Sequence, residues 1–143
     1  MKIIIAENSK QIRNRIIEKV SSLDSTEAIF ESMNVPETID IYSICHPDVV
    51  ILDYKLIGGN SLDVLETIKH EGRSLLVIVL TDSSNPKIKE QCLNLGAQYV
   101  FHKLLDIEKI PGVVSEFQED RKTVAKEVDM YRNSEILKSN TRG

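Results

Sequence analysis

The sequence has few cysteines, no long apolar stretch and no excess of positive charge over most of its length. Each shortage closes off a class of protein. Cys45 and Cys92 are 47 residues apart, a spacing that matches no metal or redox motif. They are expected to be reduced thiols in a cytoplasmic core. The longest unbroken apolar run covers residues 75–80, far short of the roughly 20 residues that span a bilayer. Met1-Lys2, followed at once by Ile3-Ile4-Ile5, is too short for a secretory signal and has no cleavage pattern. Internal repeats and low-complexity tracts are absent. Residues 1–120 carry 12 Lys/Arg against 19 Asp/Glu, a net of −7, whereas residues 121–143 carry 6 against 3, a net of +3. An acidic body argues against a nucleic-acid-binding domain, whose footprint is basic. The 23-residue basic end cannot hold a helix-turn-helix and reads as a solvated, partly helical tail. Neither nucleic acid nor membrane is therefore expected as a partner.

What is present is enough for one domain with a proper core. Leu, Ile, Val and Phe supply 46 of 143 residues, and a chain of this length buries about 70% of its unfolded surface. Short β-branched runs alternate with segments of helical period. Strands are predicted at residues 2–6, at 26–31 (more polar, as at a sheet edge), at 49–52, at 75–80 and at 99–102. Between them, Ile12, Ile16 and Val20 repeat at helical spacing. Val35-Pro36 opens a second helix that His46-Pro47-Asp48 ends, because the residue before a proline is pushed out of the helical region. A third helix is predicted over 61–71, after the loop Ile57-Gly58-Gly59-Asn60. Asn85-Pro86 reads as N-cap plus first-turn proline of a fourth that stops at Gly96. A long amphipathic helix follows from about Lys109. Continuous apolar strands separated by helices imply an α/β protein with a parallel sheet covered on both faces.

In an open parallel sheet, ligands bind at the carboxyl ends of the strands. Glu7 and Asn8 follow the first strand, Asp53 the third, Thr81 and Asp82 the fourth, and Lys103 the fifth. Four strands thus deliver polar groups to one edge. Glu7, Asp53 and the amide oxygen of Asn8 suit a hard divalent ion such as Mg2+. Thr81 and Lys103 suit phosphoryl oxygens. Asp53, ending the most buried central strand, is the candidate nucleophile for phosphoryl transfer.

These residues resemble the receiver domains of two-component response regulators. The resemblance covers roughly residues 1–124 and rests on Glu7-Asn8, on the run from Pro47 to Asp53, on Val79-Leu80-Thr81, and on Gly96-Ala97 with Lys103 seven residues past the glycine. It implies a flavodoxin-like, doubly wound sheet of five parallel strands in the order 2-1-3-4-5, with five helices and the last extended. By the same resemblance Asp53 is the phosphoacceptor and Thr81 and Lys103 are the phosphate-contacting switch pair. Glu7, Asn8, Asp53 and the backbone carbonyl of Lys55 would form the metal site. The chain is then a signalling protein and not an enzyme. It would take a phosphoryl group from a sensor histidine kinase or phosphotransfer protein in the cytoplasm and act on a downstream protein in trans, because no output domain follows residue 124. Residues 125–143 would extend the last helix into a basic, loose tail.

Several positions depart from the pattern. Asn8 stands where the family has a second carboxylate, so Mg2+ is expected to bind weakly; Asn8 is alternatively the cap of the first helix, with Gln11 completing a capping box. Asp82 stands where a small residue is usual. It would crowd the rim of the pocket, unless it caps the following helix in competition with Asn85. Leu104 replaces a proline after Lys103, so that peptide bond should be trans. Val100 replaces an aromatic residue, and alternation turns Tyr99 and Phe101 to the other face. His46, His70 and His102 form no cluster. These departures keep open a second reading, a pseudo-receiver that serves as an interaction module without phosphorylation. A flavin enzyme on the same topology is disfavoured, because the loop after the first strand has no glycine to cradle a phosphate. Finally, the last helix is expected to reach about Asn133. Its apolar series 110, 114, 117, 124, 128, 131, interrupted by Arg121, suggests pairing with a second copy or a partner protein.

Overall fold

The strands with the least polar sequence form the middle of the sheet. The computed structural model describes residues 1–68 and 74–141, with side chains of the last helix described to residue 135. Its elements are β1 (Lys2–Ala6), α1 (Lys10–Ser21), β2 (Ala28–Ser32), α2 (Val35–Cys45), β3 (Val49–Asp53), α3 (Ser61–Ile68), β4 (Leu76–Thr81), α4 (Pro86–Asn94), β5 (Tyr99–His102), a 3-10 turn (Ile107–Lys109) and α5 (Ile110–Thr141). All four strand pairings are parallel, in the order β2-β1-β3-β4-β5. This is the expected flavodoxin-like fold. The predicted end of the third helix at Glu71, and His70, lie outside the described residues.

Strand alternation splits the core in two. Ile4, Ala6, Val50, Leu52, Val77 and Val79 point to the face covered by α2, α3 and α4. Ile3, Ile5, Val49, Ile51, Ile78 and Leu80 point to the face covered by α1 and α5. Each fully buried Ile or Leu of these strands contributes about 1.5–3 kcal/mol relative to exposure. The helices are fastened by side chains that satisfy orphan backbone groups. Ser9 caps α1, Asn34 caps α2 and Asn85 caps α4. At the other end of α2, His46 takes the left-handed conformation (φ 49°) and its N–H still reaches the Tyr42 carbonyl, which is how the chain leaves the helix ahead of Pro47. Cys45 and Cys92 are buried and form no disulfide.

Four local expectations are revised. The edge strand β2 runs two residues later at its start than predicted, because register with β1 pairs Lys2 with Ala28. Asn8 does not cap α1, since Ser9 receives the Ile12 N–H. Asp82 does not cap α4, since Asn85 receives the Lys87 N–H. The last helix continues past Asn133 to Thr141, 32 residues in one piece, about 48 Å at 1.5 Å per residue. Among the described residues no peptide bond is cis, so Lys103–Leu104 is trans as expected.

Ile110 and Val114 of α5 are fully buried against the sheet, and Phe117 packs at its margin. Arg121, the interruption of the apolar series, turns to Asp48 in the loop before β3, at 2.9 Å, and lies 5.3 Å from the Phe117 ring centroid. Beyond it Val124, Val128 and Tyr131 are 57%, 41% and 68% exposed. The domain's own packing therefore ends at Arg121. Truncation after Lys122 is expected to lower helicity but leave the thermal midpoint within about 2 °C, as for loss of exposed surface. A drop of ten degrees or more in a melting experiment would place the 124–131 stripe in the core instead.

Candidate functional site

The polar edge of the sheet is built by strand ends in register. Asp53 closes β3 opposite Leu80, and Thr81 closes β4 opposite His102. Glu7 follows β1, where its backbone N–H bonds the Ser32 carbonyl at 3.1 Å, and Lys103 follows β5, where its N–H bonds the Thr81 carbonyl at 2.9 Å. The Lys103 ammonium comes between two carboxylates, donating to Glu7 Oε1 at 2.9 Å and to Asp53 Oδ2 at 3.1 Å. Glu7 is fully buried and Asp53 only 2% exposed. Asp53 Oδ1 accepts the Lys55 N–H at 3.2 Å, and Glu7 Oε1 accepts the Ser9 N–H at 3.0 Å. The Thr81 hydroxyl oxygen accepts the Ser83 N–H at 3.1 Å, which leaves its own proton to donate.

Burial raises the Glu7 carboxyl above its usual range, and the nearby Asp53 charge adds to this; the bonds from Lys103 and Ser9 offset part of it. For Lys103, burial pulls downward, but the two carboxylate partners outweigh it and its pKa is raised. Two negative charges and one positive charge therefore share a nearly dry pocket, and the ammonium is what makes their closeness tolerable.

The structure brings together Glu7, Asp53 and Lys103 in direct contact, with Thr81 on the adjacent strand end. Asn8, expected to offer its amide oxygen to a metal, has both amide atoms engaged with backbone. Its Nδ2 donates to the Lys55 carbonyl at 2.8 Å and its Oδ1 accepts the Ile57 N–H at 3.3 Å. Asp82 stands at the exposed rim, with its carboxylate 3.8 Å from the Lys55 ammonium. Among the described residues no three His, Cys, Asp or Glu side chains form a metal cage. A divalent ion nevertheless fits this donor set through Glu7 and Asp53, because Glu7 Oε2 is a buried oxygen without a hydrogen-bond partner.

Two supporting residues escaped the sequence reading. Arg13 is buried although charged; it donates to the Glu7 carbonyl and to Glu31 Oε1, both at 2.8 Å. It fixes the turn that carries Glu7. The available signal was its place on the buried stripe Arg13, Ile16, Val20 of α1. His102, which joins no cluster, shapes the turn after β5: its Nδ1 accepts the N–H groups of Leu104 and Leu105, both at 3.2 Å, while its own N–H bonds Asp106 at 2.7 Å. That turn is where the family's proline is missing. Val100 faces the α2–α4 side, and Tyr99 and Phe101 face the other. An open pocket of about 340 Å³ lies between α4 and β5, lined by Thr81, Val100 and Lys89 among others.

A flavodoxin-like α/β protein with a buried, lysine-bridged carboxylate pair at its strand ends is the class so defined. The response regulator receiver domain matches residues 3–115, and the chain belongs to that family. It is 27% identical over 116 residues to the sporulation initiation phosphotransferase F of Bacillus subtilis, covering 81% of this chain and 92% of that one. It is also 27% identical over 99 residues to a protein-glutamate methylesterase/protein-glutamine glutaminase of Clostridium acetobutylicum, covering 68% of this chain but 29% of that protein. Among solved structures, the signal receiver domain of NarL from Mycobacterium tuberculosis superposes with a TM-score of 0.73 at 19% identity, over 80% of this chain and 93% of that one.

Replacing Lys103 by Met is expected to destabilise the protein by about 3 kcal/mol at pH 7, the usual consequence of stripping one partner from a buried ionic cluster. The cost should shrink toward pH 5. Glu7 already has a raised pKa, and without the ammonium it rises further, so the folded state takes up a proton more readily than the unfolded one. Stability then increases as pH falls through that raised value. Urea unfolding at the two pH values checks this, and an equal loss at both would refute it.

Proposed function

We propose that Asp53 accepts a phosphoryl group from a phosphohistidine on a sensor histidine kinase or phosphotransfer protein, and that the chain signals through a changed surface to a protein partner. The observation that carries this reading is the contact of Lys103 with Asp53 Oδ2. One carboxylate oxygen attacks phosphorus in line; the P–N bond to the donor imidazole breaks, and the imidazole leaves with the electron pair and takes up a proton. The product is an acyl phosphate on Asp53. Lys103 can follow the incoming charge from the carboxylates to a phosphoryl oxygen, and the Thr81 hydroxyl is placed to donate to another. Mg2+, bound generally by receiver domains at this site, would be held weakly here by Glu7 and Asp53 and would offset phosphoryl charge.

The chain acts in this reading as a signalling acceptor in the cytoplasm and not as an enzyme on a separate substrate. Among the described residues, no helix is long and apolar enough to cross a membrane. The similarity to a sporulation initiation phosphotransferase, 92% of which this chain covers, supports a place in a phosphorelay. The engagement of both Asn8 amide atoms with backbone favours the second reading, an interaction module that works without phosphorylation. Acetyl phosphate with Mg2+, read by intact mass, separates the two. The wild type is expected to gain one phosphoryl group and Asp53→Ala none; no gain in the wild type would establish the second reading.

The exposed Val124, Val128 and Tyr131 stripe is proposed to pair with a second copy of the chain. Light scattering is expected to give a dimer mass for the full chain and a monomer mass after truncation at Lys122. A monomer in both cases would reject pairing between copies.

A further inference from the structure

The side chain of Asn8 ties together two loops that are 47 residues apart in sequence. Its Nδ2 donates to the Lys55 carbonyl at 2.8 Å, and its Oδ1 accepts the Ile57 N–H at 3.3 Å. A carboxamide can do both at once, because it carries a donor and an acceptor in one plane, whereas a carboxylate has no proton for the carbonyl. The same loop is held from its other side. The Ile57 carbonyl accepts the Val35 N–H at 2.8 Å, and Ile57 forms a parallel bridge with Asn34. The chain then turns at Gly58, with φ of +82°, where a Cβ would lie 3.2 Å from the Pro36 ring. The clamped residue matters for the site. Lys55 gives its carbonyl to Asn8 and its N–H to Asp53 Oδ1, the latter at 3.2 Å, so the residue that Asn8 fastens is also the one that presents a donor to the candidate phosphoacceptor.

We propose that Asn8 is a positioning residue that does without an ion what an ion between the two loops would do. It bridges the loop after β1 to the loop after β3, and in doing so occupies the Lys55 carbonyl and weakens the site's hold on a divalent cation. The proposal deepens the reading of the metal site given above. It does not depend on Asp53 being phosphorylated, and its test reads loop protection directly.

Amide hydrogen exchange at Ile57 provides that test, with Val50 and Ile78 as core amides that report whether each variant is folded. In EDTA the wild type is expected to protect Ile57, and Asn8→Ala to exchange it about tenfold faster, the loss of roughly one hydrogen bond. Asn8→Asp places an oxygen against the Lys55 carbonyl and needs a cation between them. Its Ile57 amide should exchange fast in EDTA and about tenfold slower in millimolar Mg2+, while the wild type is the same in both. Wild-type exchange as fast as that of Asn8→Ala in EDTA would overturn the proposal. So would a wild type slowed by Mg2+ as much as Asn8→Asp, since the ion and not the amide would then hold the loop. Failure of acetyl phosphate to label Asp53 would leave these results unchanged, so the two readings fail separately.

Discussion

The ammonium of Lys103 between Glu7 and Asp53 is the interaction on which the rest of the site depends. Two carboxylates at the ends of neighbouring strands repel each other in a nearly dry pocket, and a single lysine from a third strand end offsets both. The geometry follows from the parallel sheet. Successive strands present their carboxyl ends on one edge, so groups 96 and 50 residues apart in sequence converge on a single nitrogen. Their convergence requires the two apolar faces to be packed, because only a rigid sheet holds strand ends within hydrogen-bond distance.

Around that centre other side chains fasten the backbone of the loops that carry the site. Arg13 fastens the backbone of Glu7 and not its carboxylate, and is itself offset by Glu31 at the sheet edge. Asn8 fastens the loop after β3 with a carboxamide. His102 and Asp106 organise the turn after β5, where no proline fixes the backbone. These contacts lie on loops, where conformational freedom is greatest, and each removes some of it close to a group that must be aimed. Lys55 connects them: its N–H serves Asp53, its carbonyl serves Asn8, and its side chain faces Asp82 across the rim.

The long last helix joins two regimes. Up to Phe117 it is part of the domain, and its apolar residues answer those of β1, β3 and β4. Arg121 marks the end, drawn back to Asp48, whose carboxyl is held below its usual range: burial acts against this, but the Lys2 backbone N–H and the Arg121 charge prevail. That interaction is present above the ordinary carboxylate range and fades as pH falls through the lowered value. Past this point the helix continues with its apolar stripe uncovered, which sets the surface of α5 apart from that of the other helices.

Much of this was legible from residue order. Runs of Ile, Val and Leu bounded by helical spacing specify parallel strands buried on both faces, because no other arrangement hides such runs and satisfies their backbone groups. The residue after each run specifies the chemistry of the edge, since strand ends are where an open sheet binds its ligands; Glu7, Asp53, Thr81 and Lys103 were found in this way. Local hydrogen-bond partners were legible only in part. Asn85 was read correctly as the cap of α4, because Pro86 in the first turn marks the helix start. At α1 both Asn8 and Ser9 are competent caps, and choosing between them takes the three-dimensional direction of the chain, which placed Ser9 at the helix end and left Asn8 facing Lys55. The role of Arg13 was not read from the sequence because its partners, the Glu7 carbonyl and Glu31, belong to other elements. What the sequence by itself determined is the layering of the fold and the candidate residues at the strand ends, because hydrophobic period and the residue that follows each apolar run are local properties. Which donor meets which acceptor was decided only by tertiary structure, because a hydrogen bond depends on distances of a few tenths of an ångström between loops that sequence spacing does not relate.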